Sequence, residues 1–222
     1  MRHTGELMSE DGNDRLFSRA LFLGAFTVGY NVVEGVVSMA LGINDETLAL
    51  FGFGVDSFIE VLSGIGICVM ITRIRNRPRS DRTPLEVHAL RITGSAFYLL
   101  AAGLAAATAI NIIGGHTPDT TFWGVIIALA SIAVMLWLMT AKKRTGKLLQ
   151  SDAIIADANC TRMCVYMSVV LLLSSLIYEF TGFAFADSIG ALGLAIFSVS
   201  EGRESFLKAA GKACSCTGNK CE

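Results

Sequence analysis

The sequence predicts an all-α protein that crosses a membrane six times, with both termini on the cytoplasmic side. Three observations carry this expectation. The chain of 222 residues is 53% hydrophobic and only 17% charged, with three prolines and a mean hydropathy of +0.57, whereas soluble domains hold about 25% charged residues. Its apolar residues fall into six runs that approach or exceed the roughly 20 residues a bilayer core demands of a helix. Its arginines and lysines gather in alternate connections, the distribution that marks cytoplasmic loops.

The first run spans Leu16 to Leu41 and follows residues 1–14, a polar and acidic stretch read as a short cytosolic tail without a leader-cleavage pattern. The second spans Thr47 to Thr72 and leads into a connection with Arg73, Arg75, Arg77, Arg79 and Arg82. The third and fourth, Ile92 to Gly115 and Thr121 to Thr140, flank a loop without lysine or arginine, and Lys142, Lys143, Arg144 and Lys147 follow. The fifth and sixth run from Cys160 to Gly182 and from Ala184 to Ala210. Residues 15–210 thus form one transmembrane domain. The twelve residues after Ala210 are a short cysteine-containing cytosolic tail, too few for a soluble domain, which needs at least about 40 residues.

Composition also excludes functions. The basic residues are accounted for by topology, so nothing supports binding to nucleic acid. No nucleophile–base pairing or cofactor motif points to an enzyme or to a tightly bound cofactor. A compact chain of this kind suits a bacterial plasma membrane.

The informative residues are polar groups inside the apolar runs, where an ionisable side chain costs about 2.5–3.5 kcal/mol and marks a functional position by default. The second run reads FGFGVDSFIEVLSG and places Asp56 and Glu60 at i and i+4, on one helical face. The fifth opens with ADANCTRMC, in which Cys160 and Cys164 repeat that spacing. At about 1.5 Å per residue the acids lie about 13–20 Å from the outer face and the thiols about 12–18 Å from the inner one. Both pairs therefore reach the midplane. Two carboxylates and two thiols make a tetrahedral donor set suited to zinc or cadmium. Two blander readings stand beside it: cysteines at helical spacing serve packing, and paired acids serve as a proton relay or a hydrogen-bonded structural pair.

The motifs NVVEG, TLALFGFGVDSFIE and ADANCTRMC, together with the basic loop, resemble the cation diffusion facilitator family of divalent-metal exporters. The family's second helix reads S-L-A-L-L-A-D-A-x-H/D-x-x-x-D, and Thr47 to Phe51 run into Asp56 and Glu60 in that frame without a gap. The resemblance implies that Asp56 and Glu60 join the fifth-helix pair, here Cys160 and Cys164, in a transport site. It implies a homodimer, and a cytosolic ferredoxin-like domain for which this chain leaves no room. It also implies alternating access with metal leaving in exchange for protons. Thiols in place of the family's histidine and acid favour softer ions, so Zn²⁺ or Cd²⁺ is the expected transported ion and Mn²⁺ or Mg²⁺ is not.

Other polar residues have two readings each. Asp157 shares the face of Cys160 one turn closer to the cytosol and is either an approach acid or an interfacial acid favoured by the helix dipole. Asn31 and Glu34 line the ion path or bind neighbouring helices. Asp187 marks the outer exit or caps the helix that begins DSIGALGLAIF. Cys214, Cys216 and Cys221 form either a metal-capturing tail or incidental thiols. Two rival functions remain, a membrane metal sensor or binding partner without turnover, and a proton-coupled carrier of another small solute.

Overall fold

In a computed structural model, residues 3–76, 84–114, 120–149, 152–183 and 185–211 are described. The side chains of residues 3–14 and a few others, including Asp157 and Cys160, lie outside that description. The architecture is all-α: α1 (His3–Asn44), α2 (Leu48–Asn76), α3 (Pro84–Gly114), α4 (Phe122–Leu148), α5 (Asp152–Thr181) and α6 (Ala186–Ala209).

The helices outrun the apolar segments at the basic end. Residues 3–14, expected as a tail, continue α1 as helix, and α5 starts at Asp152, two turns before Cys160. Hydropathy locates the part of a helix that sits in lipid, whereas the backbone ladder propagates as far as the residues allow. Among the described residues, five helices are long and apolar enough to cross a membrane. The sixth, α6, carries Asp187, Glu201, Arg203, Glu204 and Lys208, and buries Asp187, Ser188, Ser198 and Ser205 against its neighbours. Large apolar side chains such as Leu99, Ile113, Phe180 and Ile196 lie exposed on the outside, as a lipid-facing surface requires. The chain is a multi-pass membrane protein.

The closest pairings are α1 with α2, α4 with α5, and α3 with α6. Contacts of α1 with α4 and of α2 with α5 close α1, α2, α4 and α5 into a ring. The α3–α6 pair packs against the α2 and α5 side of that ring.

Glycines allow the close crossings. A Cβ on Gly54 would sit 2.7 Å from the Met39 backbone nitrogen and 3.0 Å from the Gly35 carbonyl oxygen, and Gly94 and Gly202 face each other in the same way across α3 and α6. Such small-residue contacts let backbones approach where lipid supplies no hydrophobic drive between helices. Gly54→Ala is expected to lower stability by about 1–3 kcal/mol through overpacking. Gly103→Ala, where nothing lies within 4 Å of the added carbon, should leave it unchanged. Thermal unfolding of the two purified variants in one detergent checks the contrast.

The outer ends are tied at one level. The Thr47 hydroxyl donates to the Thr120 carbonyl (3.2 Å), and the Thr121 hydroxyl to the Ser175 carbonyl (2.8 Å). The backbone N–H groups of Leu48 and Ala49 donate to the two Asp187 carboxylate oxygens at 2.9 and 3.1 Å. Asp187 therefore caps α2 from α6. The expectation that it caps its own helix is corrected: Phe185 holds the N-cap position of α6 and makes no side-chain capping bond. Burial decides this, because the α2 terminus lies inside the bundle and its orphan N–H groups need an acceptor there.

Beneath this level Leu50, Phe53, Leu100, Leu104, Leu171 and Leu194 pack as one apolar core. Smaller clusters lie around Leu138 and, towards the basic end, around Ile71.

Candidate metal centre

The tied outer level sets a common origin for depth. At about 1.5 Å per residue, Asp56 lies about 12 Å below Leu48, Glu60 about 18 Å below it, and Cys164 about 16 Å below Ser175. Glu60 and Cys164 are thus brought to one height from opposite chain directions. The Cys164 thiol donates to Glu60 Oε1, and the other oxygen, Oε2, accepts from Asn31 Nδ2 at 2.9 Å. Three helices, α1, α2 and α5, meet at this one carboxylate.

Asp56 is 3% exposed, and its Oδ1 has no hydrogen-bond partner among the described residues. The Oδ1 of Asn31, which is fully buried, is in the same condition. Among the described residues no three histidine, cysteine, aspartate or glutamate side chains gather closely enough to hold a metal ion. Cys160 and Asp157 fall outside the described side chains, as do Cys214, Cys216 and Cys221 in the terminal segment.

The other sequence-predicted residues separate. Asn31 belongs to the centre through Glu60. Glu34 does not line the cleft: it is buried and takes hydrogen bonds from the Tyr30 hydroxyl (2.9 Å), the Ser57 hydroxyl (3.0 Å) and Ser131. Ser168 donates in turn to Ser131 at 3.0 Å. This hydroxyl network ties α1, α2, α4 and α5 together beside the centre. Asp187 sits at the outer level, one full helical stretch away from it.

A cleft of about 70 Å³ runs from Asp56, Glu60 and Cys164 towards the basic end, past Thr161 and Lys142 to Ser205 and Lys208. The outer side of the centre is filled by the Leu50–Leu171–Leu194 core. By the positive-inside rule the accessible side is the cytosolic one.

Two lining residues escaped the sequence reading. Lys142 of α4 is only 3% exposed and donates to the Thr161 hydroxyl at 3.2 Å, and its charge acts on Glu60. In the sequence it follows an apolar run, where topology alone accounts for a loop cation. Glu201 of α6 lines the same cleft and acts on Asp56 and Cys164. A signal existed: Glu201 lies 14 residues after Asp187, close to four full turns at 3.6 residues each, so the two share a face.

Comparison with known proteins bears on this arrangement. Residues 20–211 match the family model for the cation efflux transmembrane domain. The chain belongs to the cation efflux family. That family comprises transporters, not enzymes. Among its relatives, the uncharacterized transporter MJ0449 of Methanocaldococcus jannaschii is 25% identical over 171 residues, 75% of this chain and 60% of that protein. The magnetosome protein MamB of a Magnetospira species is 24% identical over 182 residues, 80% of this chain and 60% of that protein. This cation efflux chain therefore spans about 60% of the length of either relative. Cation efflux membership is consistent with a polar centre at mid-depth in an otherwise apolar bundle, because an ion crossing lipid needs side chains to replace its water.

Proposed function

We propose that the protein exports a divalent transition-metal ion, Zn²⁺ or Cd²⁺, in exchange for protons by alternating access. Asp56, Glu60, Cys160 and Cys164 would be the ligands. The observation that carries this reading is the contact of the Cys164 thiol with the Glu60 carboxylate at mid-depth, at the inner end of a cleft that faces the basic side.

The chemistry follows from that contact. In the absence of metal the thiol proton bridges sulfur and carboxylate, and both groups keep a partner in a medium where an unpaired one is costly. A metal ion binds thiolate rather than thiol, so its arrival releases that proton and a returning proton expels the ion. Two thiolates and two carboxylates around one dication would leave a net charge of about −2 at the midplane, which is expensive unless protons or nearby cations offset it. Lys142 is placed to reduce that charge at Glu60. The sulfur donors favour soft ions over Mn²⁺ and Mg²⁺. Asn31 would hold the Glu60 side chain in position while its thiol partner changes state. Asp157, one turn below Cys160, would be the approach acid. The Cys214, Cys216 and Cys221 tail would supply a capture point on the cytosolic side. The reading includes a homodimer, which the family resemblance implies.

Proteoliposomes loaded with a metal-sensitive dye, under an imposed pH gradient, test the proposal with Zn²⁺, Cd²⁺, Mn²⁺ and Fe²⁺. Wild-type protein should carry Zn²⁺ and Cd²⁺ fastest. Cys160→Ser/Cys164→Ser should lose at least about tenfold in Cd²⁺ rate and shift its preference towards Mn²⁺. Zinc transport by that double variant at the wild-type rate would sink the ligand assignment. Metal affinity should rise with pH, by about tenfold per unit for each proton displaced, and the rise should be shallower in the double variant.

A further inference from the structure

Two buried carboxylates of the bundle are held by different kinds of donor. Asp187 accepts from the backbone N–H groups of Leu48 and Ala49, which cannot turn away, so that cap favours the ionised acid. Glu34 is only 7% exposed, and its donors among the described residues are all hydroxyls. Tyr30 donates to Oε1 at 2.9 Å, Ser57 donates to Oε2 at 3.0 Å, and Ser131 supplies the third bond. A hydroxyl is both a donor and an acceptor, so each of these bonds can reverse.

Such a reversal orphans no buried group. The Ser57 hydroxyl lies 3.1 Å from the Phe53 carbonyl oxygen; when it turns there, its own oxygen accepts from a protonated Glu34. Ser131 takes a hydrogen bond from Ser168 at 3.0 Å, and Ser168 has the Cys164 carbonyl at 2.8 Å as its other acceptor. The network therefore accommodates Glu34 as carboxylate or as acid, and neither state carries the cost of an unpaired polar group in a buried site. Glu34 also stands behind the wall of the cleft, whose lining includes Asn31 and Asp56 but not Glu34. Neither it nor any of its hydroxyl partners is a proposed metal ligand. Its charge nevertheless acts on both Asp56 and Glu60. The titratable and charged groups around it are Tyr30 on α1 and these two acids on α2, with Lys142 of α4 and Cys164 of α5 acting on Glu60.

We propose that Glu34 carries one of the protons exchanged for the metal, at a position the ion itself does not occupy. This deepens the export reading given above and rests on it. Acids inside membrane helices serve as proton relays. With the centre empty, Glu34 holds a proton; a dication at Asp56 and Glu60 favours the carboxylate, and the proton leaves. In one cycle an O–H bond forms at Glu34 with a proton from outer-side hydronium as the metal departs outward. The same bond breaks, giving its proton to cytosolic water, as the next ion enters. The Ser57 hydroxyl, beside Asp56 in α2, passes the proton between Glu34 and the cleft. The thiol proton at Glu60 and the proton at Glu34 thus answer the same ion, one by displacement and the other through charge alone.

The test counts protons by linkage. Wild type, Glu34→Gln and Glu34→Asp are purified in lipid nanodiscs, and zinc affinity is titrated across a range of pH. The logarithm of the affinity should rise with pH less steeply in Glu34→Gln, by about one proton per ion, and Glu34→Asp should restore the slope. A purely structural role would lower affinity equally at every pH and leave the slope as it was. Glutamine reproduces the shape and the pairing of protonated Glu34, so this variant should melt as wild type does. Infrared difference spectra of zinc binding give a second reading that needs no glutamine variant: the protonated-carboxyl band lost by wild type should shift in frequency in Glu34→Asp. An unchanged slope in Glu34→Gln, or a carboxyl band indifferent to Glu34→Asp, overturns the proton station. Wild-type zinc affinity that ignores pH, together with no zinc flux driven by a pH gradient in proteoliposomes, overturns the export reading instead.

Discussion

Glu60→Gln is expected to reduce zinc efflux by at least about 100-fold, about 2.7 kcal/mol in transition-state terms, while leaving the fold intact. The two effects separate because glutamine reproduces the shape and the hydrogen bonds of Glu60. Its carbonyl oxygen accepts from Asn31 Nδ2, and its amide N–H donates to the Cys164 sulfur, reversing the direction of the native contact. What glutamine cannot supply is charge. The carboxylate is the group that shares the Cys164 proton, and with it goes the acceptor that makes proton release and ion binding one event. Lys142 is then left facing an uncharged amide, so the local charge rises and an incoming dication is repelled. Initial rates in proteoliposomes at a fixed pH gradient decide the first half. A thermal melt in detergent decides the second. A rate within about threefold of wild type, in protein that melts normally, would refute the role assigned to Glu60.

Asp187→Ala should act the other way, on the fold first. The carboxylate accepts from two backbone N–H groups at the start of α2, at 2.9 and 3.1 Å, and is itself 3% exposed. Bonds from a backbone donor to a charged acceptor are worth about 1.5–3 kcal/mol each, and a buried donor left unmade costs about as much again as it fails to gain. The N-terminal end of the helix dipole also loses its counter-charge. A destabilisation of about 2–4 kcal/mol is expected, and Asp187→Asn, which keeps one acceptor, should recover part of it. Because the same bonds set the height of α2 against α6, transport should fall in both variants in proportion to the lost stability. Melting curves of the three proteins in one detergent measure the effect. A midpoint for Asp187→Ala within about 2 °C of wild type would show that water satisfies the α2 terminus instead.

These expectations differ in how much of their basis could be read from the sequence. Asp56 and Glu60 announce themselves, because two acids four residues apart in an apolar run have no inexpensive place except a shared inward face. Cys164 follows from the same spacing argument on the fifth segment. Lys142 was hidden by its position just after an apolar run, where topology alone explains a lysine. Its burial comes from α4 continuing as helix to Leu148, so that the residue stays packed against α5. Glu34 and Asn31 look equivalent in sequence, three residues apart on one face. Their fates differ because Ser57, Ser131 and Tyr30 surround one, while Glu60 reaches the other.

Asp187 shows the boundary most plainly. A capping acid beside a helix start is legible, and the reading of it as a cap was right in kind and wrong in target. Which N-terminus it serves depends on which orphan N–H groups the bundle buries next to it.

The sequence by itself determined an all-α membrane protein, its orientation by charge, and the spacing of the acid and the thiol, Glu60 and Cys164, that meet at mid-depth. Those follow from the cost of polar groups in lipid and from the helical period, both of which act residue by residue along the chain. The tertiary structure alone decided that Asp187 caps α2, and that Lys142 of α4 and Glu201 of α6 line the cleft that holds Glu60. Each of these is a meeting between residues far apart in the chain, set by the heights and rotations at which packed helices come to rest.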